Sequence, residues 1–258
     1  MSFENKVVLI TGAGSGIGEA IAVHFAKLSA KLSLLDINAE NLEKAVEKCE
    51  ELSKTKAIKI ILDMTKDESV KQAVDKTIEE FGKIDVVVNC AGIVSISGIL
   101  DGVFINDFDK VMTVNLRAYV VMTHYAAPAL VKTKGCIINI ASVYAKLVDK
   151  KIIPYTTSKA AVAHFTKNAA LELAEKGVRV NSISPGFVET KIIVNSKCDM
   201  DKFKLLERKS PPIEHVLKVE EIADLAGYLA SDKAQSITGA DFVIDSGSTL
   251  LGSLLENI

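Results

Sequence analysis

The chain has 258 residues, 48% hydrophobic and 25% charged, with a formal net charge of −2 at pH 7. That length allows one large α/β domain or two small ones, and the near-neutral charge gives no electrostatic case for nucleic acid or an anionic membrane surface. Cys49, Cys90, Cys136 and Cys198 form no Cys-x-x-Cys pair and read as reduced thiols in a cytoplasmic protein. The four histidines, His24, His124, His164 and His215, form no ligand-spaced cluster, so no metal site is expected. Residues 1–6 lead directly into an apolar strand without a signal peptide, and no apolar run reaches the length of a membrane span.

Residues 6–11, Lys-Val-Val-Leu-Ile-Thr, have the pattern of a strand buried on both faces. Gly12-Ala-Gly14-Ser15-Gly16-Ile17-Gly18 follows, and then residues 17–29, which place Ile17, Ile21, Ala22, Phe25 and Leu28 on one helical face. A strand, a glycine-rich turn and a helix N-terminus together make an anion site, where backbone N–H groups and the positive helix end face a pyrophosphate. The spacing is Gly-x-x-x-Gly-x-Gly with an extra Gly14, not the Gly-x-Gly-x-x-Gly form. Residues 31–35 form a second strand ending at Asp36, twenty residues past Gly16. A carboxylate there accepts both hydroxyls of an adenosine ribose and repels a 2′-phosphate, and Ile37 supplies no arginine to rescue one, so the choice is NAD over NADP.

Residues 39–52 read as an amphipathic helix, 57–62 as a third strand ending at Asp63, 67–81 as a helix, and 84–88 as a fourth strand followed by Asn89-Cys90-Ala91-Gly92. This alternation with short connections is the signature of a parallel doubly wound sheet, which binds ligands at its carboxyl edge. Residues 108–132 read as one long helix containing Asn115, a residue of mediocre helix propensity that either faces solvent or bonds to nearby backbone. Residues 135–140 form a fifth strand that delivers Ser142 to the same edge. A helix over 155–176 sets Tyr155 and Lys159 one turn apart on one face. An ammonium beside a phenol favours the phenolate and lowers its pKa from about 10 toward neutrality, giving a proton donor or acceptor usable at physiological pH. With Ser142 bonding the same substrate oxygen, this is an apparatus for interconverting an alcohol and a ketone. Residues 178–184 form a sixth strand running into Pro185-Gly186-Phe187-Val188-Glu189-Thr190. Residues 219–230 form a helix with Leu225, Tyr228 and Leu229 inward, and 241–245 a last strand.

Over residues 4–248 the chain resembles the short-chain dehydrogenase/reductase family. The matching pieces are Thr-Gly-Ala-Gly-Ser-Gly-Ile-Gly at 11–18, Asp36, Asp63-Met-Thr at 63–65, Asn-Cys-Ala-Gly at 89–92, Asn115-Leu-Arg-Ala, Ser142, Tyr155-x-x-x-Lys159, Pro-Gly-x-x-x-Thr at 185–190, Ser231-Asp232, Ile237-Thr238-Gly239 and Val-Ile-Asp at 243–245. The resemblance implies a single-domain α/β fold across 1–258, a Rossmann-type doubly wound parallel sheet of about seven strands with helices on both faces. It implies that Tyr155 is the general acid or base, that Lys159 depresses its pKa and bonds the nicotinamide ribose, that Ser142 polarises the substrate carbonyl, and that Asn115 holds a water in a relay to Lys159. It also implies a cofactor site of Gly12, Ser15, Gly16, Ile17, Gly18 and Asp36, with Asp63 at the adenine, Asn89 and Gly92 bordering the adenosine ribose, Pro185 and Val188 nearby, and Thr190 on the carboxamide. Cys90 departs from the usual Asn-Asn-Ala-Gly and Ser246 from Asp-Gly-Gly.

The resemblance makes residues 187–215 a mobile lobe over the substrate. Residues 93–99 and 143–153 are expected to supply the other walls, with Ile93, Val94, Ile96, Val143, Tyr144, Leu147, Val148, Ile152 and Ile153 forming an apolar pocket for a hydrophobic alcohol or ketone such as a steroid, a fatty acyl derivative or a xenobiotic carbonyl. Lys146, Lys150 and Lys151 lie among them. The resemblance and the apolar tail at Leu250, Leu251, Leu254 and Leu255 point to a homotetramer. Two rival readings are an NADPH-dependent 3-oxoacyl reductase, opposed by Asp36 and Ser15, and a non-catalytic dinucleotide sensor, opposed by the intact set of Asn115, Ser142, Tyr155 and Lys159.

Overall fold

Short Val/Ile/Leu runs separated by amphipathic helices fold into one sheet with helices on both faces. The computed structural model describes residues 1–53, 57–188 and 211–251. Its strands are β1 (Val7–Thr11), β2 (Lys31–Asp36), β3 (Ile58–Ile61), β4 (Val86–Asn89), β5 (Cys136–Ile140), β6 (Arg179–Pro185) and β7 (Asp241–Ile244). They are ordered β3-β2-β1-β4-β5-β6-β7, every pair parallel. The helices are α1 (Gly16–Lys27), α2 (Ala39–Leu52), α3 (Asp67–Phe81), α4 (Phe104–Met112), α5 (Ala118–Thr133), α6 (Ile153–Ala174) and α7 (Val219–Ala230).

Alternate residues of each strand face opposite layers. Val8, Ile10, Val86, Val88 and Ile138 pack with α1, α2 and α7, while Leu9, Val87, Ile137 and Val180 pack with α3, α5 and α6. Each fully buried aliphatic side chain contributes about 1.5–3 kcal/mol. The order reverses between β1 and β4, because the chain winds outward to β3 and then crosses back. The carboxyl ends of β1 and β4 therefore diverge into a crevice, the place where such sheets take ligands.

The expected single helix over 108–132 is a composite. It starts earlier, at Phe104, and a five-residue π turn (Thr113–Arg117) separates α4 from α5. Helix α6 starts two residues before the expected Tyr155, with Pro154 in its first turn, where a missing N–H leaves no helical bond unmade. In α7 the buried stripe is Ile222, Ala223, Ala226 and Leu229, and Leu225 packs partly against it. Tyr228, expected inward, lies off that stripe and is 37% exposed.

Candidate active site

The crevice begins at the glycine turn. Gly12 has φ +68°, and a Cβ there would lie 2.9 Å from both the nitrogen and the Cα of Ala91. Only glycine lets the turn after β1 touch the turn after β4 so closely. A Cβ on Gly18 would lie 2.1 Å from the Gly12 carbonyl oxygen, so the first turn of α1 rests directly on the loop. Ser15, at the N-cap, makes no side-chain bond to that first turn, and Ile17 is partly buried against the core beneath. Helix N–H groups without a side-chain cap, reached across bare glycine backbone, fit a pyrophosphate. The Asp36 carboxylate closes this end: Oδ2 accepts from Gly14 N–H at 2.9 Å and Oδ1 from Asn38 N–H at 2.8 Å. Thr11 Oγ1 accepts from the N–H groups of Cys90 and Ala91 at 3.0 and 3.1 Å, which ties the two turns together. Asp63 turns back on Thr65, whose backbone N–H and hydroxyl both donate to it, and these bonds hold its carboxyl below the ordinary range.

The other end gathers Gly92, Asn115, Ser142, Tyr155 and Lys159. Ser142 caps the 3₁₀ turn Val143–Ala145 just past β5, its Oγ accepting from Tyr144 N–H at 3.2 Å. Lys159 is buried and donates from Nζ to the Ile140 carbonyl at 2.8 Å. Its Nζ lies 5.7 Å from the Tyr155 ring centroid and 5.6 Å from that of Tyr119. A Cβ on Gly92 would sit 3.5 Å from Asn115 Oδ1 and 3.7 Å from Lys159 Nζ, so the backbone at Gly92 covers both groups. Asn115 lies inside the π turn, a distortion often found at functional sites. It is fully buried; Oδ1 accepts from Ile93 N–H at 2.8 Å, while Nδ2 donates to the Ile93 carbonyl at 2.9 Å and to Ser158 Oγ at 3.1 Å. Neither of the two readings left open for this asparagine holds as stated: it is not exposed to solvent, and the backbone it bonds is not local but that of Ile93, 22 residues away. Ser158 in turn donates to the Tyr155 carbonyl at 2.7 Å, linking the loop after β4 to the start of α6.

The electrostatics differ from expectation at Tyr155. Burial pushes its hydroxyl above the ordinary value of 10.0, and the neighbour that pulls it down is Ser142, not Lys159. The reason is geometric: the Lys159 ammonium sits beside the ring and gives its bond to Ile140. Burial lowers Lys159 itself from 10.5 to about 8. Cys90, close to both, is pushed up to about 12 by burial and is held as a neutral thiol.

Three expectations are revised or fall elsewhere. Asn89 is fully buried, donating to Asn139 Oδ1 at 2.9 Å, and Asn139 donates to Thr166 Oγ1 at 2.9 Å; the Asn89 side chain is committed to the sheet interior, leaving its backbone at the crevice. Pro185 ends β6 and Val188 is buried, whereas Thr190 and residues 189–210 of the expected lobe lie outside the described residues. Among the expected apolar walls, Val143 and Ile152 are core residues and Val148 is exposed. Tyr144 does face the site, its ring edge-on to Tyr155. The sequence reading gave no role to Thr11, Tyr119, Ser158 or Asp149. Tyr119 carries a usable signal, standing one helical turn past Asn115; it is fully buried and donates to the Ile140 carbonyl at 3.4 Å.

A family profile described as enoyl-(acyl carrier protein) reductase matches residues 12–249. The chain is 36% identical over 253 residues to meso-2,3-butanediol dehydrogenase of Serratia marcescens, covering 96% of each chain. It is 36% identical over 248 residues to the 3-oxoacyl-(acyl-carrier-protein) reductase of Thermotoga maritima, covering 96% of this chain and 99% of that one. A short-chain type dehydrogenase/reductase structure from Mycobacterium marinum superimposes with a TM-score of 0.90 at 32% identity, covering 96% of this chain and 97% of that one.

Proposed function

Because the chain belongs to the short-chain dehydrogenase/reductase family of oxidoreductases, we propose that it interconverts a secondary alcohol and a ketone, with NAD(H) as its cofactor. The observation that carries this reading is the convergence of Asn115 and Lys159 at Gly92, with Tyr155 beside Lys159 and Ser142 acting on Tyr155, at one end of a crevice whose other end holds Asp36. A bound nicotinamide dinucleotide supplies hydride transfer. The chain supplies the rest. The Tyr155 hydroxyl exchanges a proton with the substrate oxygen, and the Ser142 hydroxyl donates a hydrogen bond to that oxygen and orients it. Lys159 holds a positive charge beneath them, and Asn115 fixes the Ile93 backbone above and takes part in the proton relay toward Lys159.

Asp36 supports NAD over NADP. Its carboxylate, already oriented by two N–H groups, accepts ribose hydroxyls and opposes a 2′-phosphate, for a preference of about 1.5–3 kcal/mol. One relative is named as a dehydrogenase of a diol and another as a reductase of 3-oxoacyl groups; a hydroxyl–carbonyl interconversion fits both names. The NADPH-linked 3-oxoacyl reductase is the second reading, favoured by the latter relative and opposed by Asp36. Steady-state kcat/KM with both cofactors over a panel of secondary alcohols and ketones decides. NAD(H) should be preferred by about tenfold to a hundredfold. Equal or greater efficiency with NADP(H) rejects the role of Asp36, and retained NADH binding without any turnover makes the protein a dinucleotide sensor. We further infer a cytoplasmic homotetramer joined through α5 and α6, where Val120 and Leu171 expose apolar side chains; an active 27.7 kDa monomer by light scattering contradicts it.

A further inference from the structure

Two residues past Ser142, the ring of Tyr144 meets that of Tyr155 edge-on, with centroids 6.3 Å apart and planes at 74°. Its hydroxyl donates to Asp149 Oδ2 at 3.3 Å. Asp149 is partly buried, and among the described residues no lysine, arginine or histidine forms an ion pair with it. Burial raises its carboxyl above the ordinary value, while the bonds from Tyr144 and from the Lys150 backbone N–H, with the Lys150 charge, oppose that rise. A phenol tied to a carboxyl, its ring against that of Tyr155, is a poor wall for a wholly apolar substrate, because partly desolvated polar groups need partners. The phenol proton is given to Asp149, whose carboxylate also accepts from the Lys150 backbone N–H; the Tyr144 oxygen and the lone pairs left on the carboxylate stand as acceptors.

We propose that Tyr144 and Asp149 form a polar subsite that accepts hydrogen bonds from a second hydroxyl on the carbon next to the reacting one, so that the preferred substrate is a vicinal diol or the matching hydroxyketone. The side-by-side tyrosines fit such a pair: Tyr155 takes the reacting oxygen and Tyr144 its neighbour. An ammonium in place of the second hydroxyl is disfavoured by the positive charge of Lys159 beneath the site and of exposed Lys150 and Lys151 on the same loop. An anionic group is disfavoured by Asp149 itself. The proposal rests on the alcohol–ketone reading given above.

The test measures kcat/KM for each vicinal diol against the mono-alcohol of the same skeleton, cyclohexanediol against cyclohexanol and butanediol against secondary butanol. The wild-type chain, Asp149→Asn and Tyr144→Phe are assayed with NAD and with NADP. The wild type should favour the diols by about tenfold or more. In both variants that ratio should collapse toward one, chiefly through a higher KM for the diol. A merely structural role for the pair would lower both substrates alike and leave the ratio intact. A wild-type ratio near one, or a ratio unchanged in the variants, overturns the subsite while alcohol oxidation stands. No turnover of any of these alcohols with either cofactor overturns the subsite and the alcohol–ketone reading together.

Discussion

Replacing Lys159 by methionine removes the only buried lysine or arginine among the described residues and leaves an unbranched side chain in its place. Burial lowers this ammonium from 10.5 to about 8. At about 1.4 kcal/mol per pH unit, the charge destabilises the folded chain at neutral pH by about 3 kcal/mol. Against that stands the bond to the Ile140 carbonyl at 2.8 Å, which the neutral amine also makes and which contributes about 0.5–1.5 kcal/mol. Lys159→Met should therefore be about 2 kcal/mol more stable than wild type at pH 7 while losing turnover, a stability reserve given up for function. The sign of the pH dependence follows from the depressed value. Between pH 8 and 10.5 the unfolded chain binds more protons at this position than the folded chain, so the wild type gains stability with rising pH and the variant does not. Tyr119, Tyr144, Tyr155, Cys90 and Cys136 are raised instead by desolvation; they contribute stability below their unfolded values and lose it as pH rises, and both chains share them except for the downward pull of the Lys159 charge on Cys90. Urea unfolding of both chains from pH 7 to 10.5 isolates the difference. It should move by about 3 kcal/mol in favour of wild type. A difference that stays constant across that range refutes the burial argument.

Two further outcomes follow from the same geometry. Asn115→Ala leaves both backbone polar groups of Ile93 without their partner and should lower stability by about 2–4 kcal/mol together with NADH affinity; a variant as stable as wild type by urea unfolding would show that those bonds are replaceable. His24 lies between α1 and α7 with Nε2 buried and unpartnered among the described residues, and Nδ1 2.9 Å from Asp224 Oδ1. Burial lowers its pKa below 6.5, against the raising effect of Asp224, so its contribution to stability is present above pH 6.5 and lost as pH falls through the folded value. An NMR titration should place His24 below 6.5, and lower still in Asp224→Asn; a midpoint at or above 6.5 rules this out.

Much of this architecture was legible in residue order. Strand patterning and the glycine turn located β1 through β7 and the crevice, because a strand buried on both faces writes itself as a short apolar run. Asp36 and Ser142 follow from where those strands end, and Tyr155 and Lys159 from their helical spacing. The π turn was not legible: an i→i+5 turn inside a helix leaves the apolar periodicity nearly unchanged, and the only hint was Asn115 at a position of weak propensity. The direction of the Tyr155 shift also escaped, since four-residue spacing says that an ammonium is near but not which oxygen it bonds. The polar wall escaped for a third reason. Tyr144 and Asp149 meet across an irregular loop, where spacing carries no contact information. Asn89 shows the converse, a motif residue at the right edge whose side chain turns into the core to bond Asn139.

The central claim is that Tyr155 carries the proton on the substrate oxygen. The direct measurement is paired NADH affinity and steady-state turnover for wild type and Tyr155→Phe on one confirmed alcohol. The phenylalanine keeps the ring that packs against Tyr144 and removes only the hydroxyl. NADH should bind both proteins comparably, while turnover falls by about 10²–10⁴-fold or more in the variant. Turnover near the wild-type rate in Tyr155→Phe would contradict the mechanism, whatever the fold.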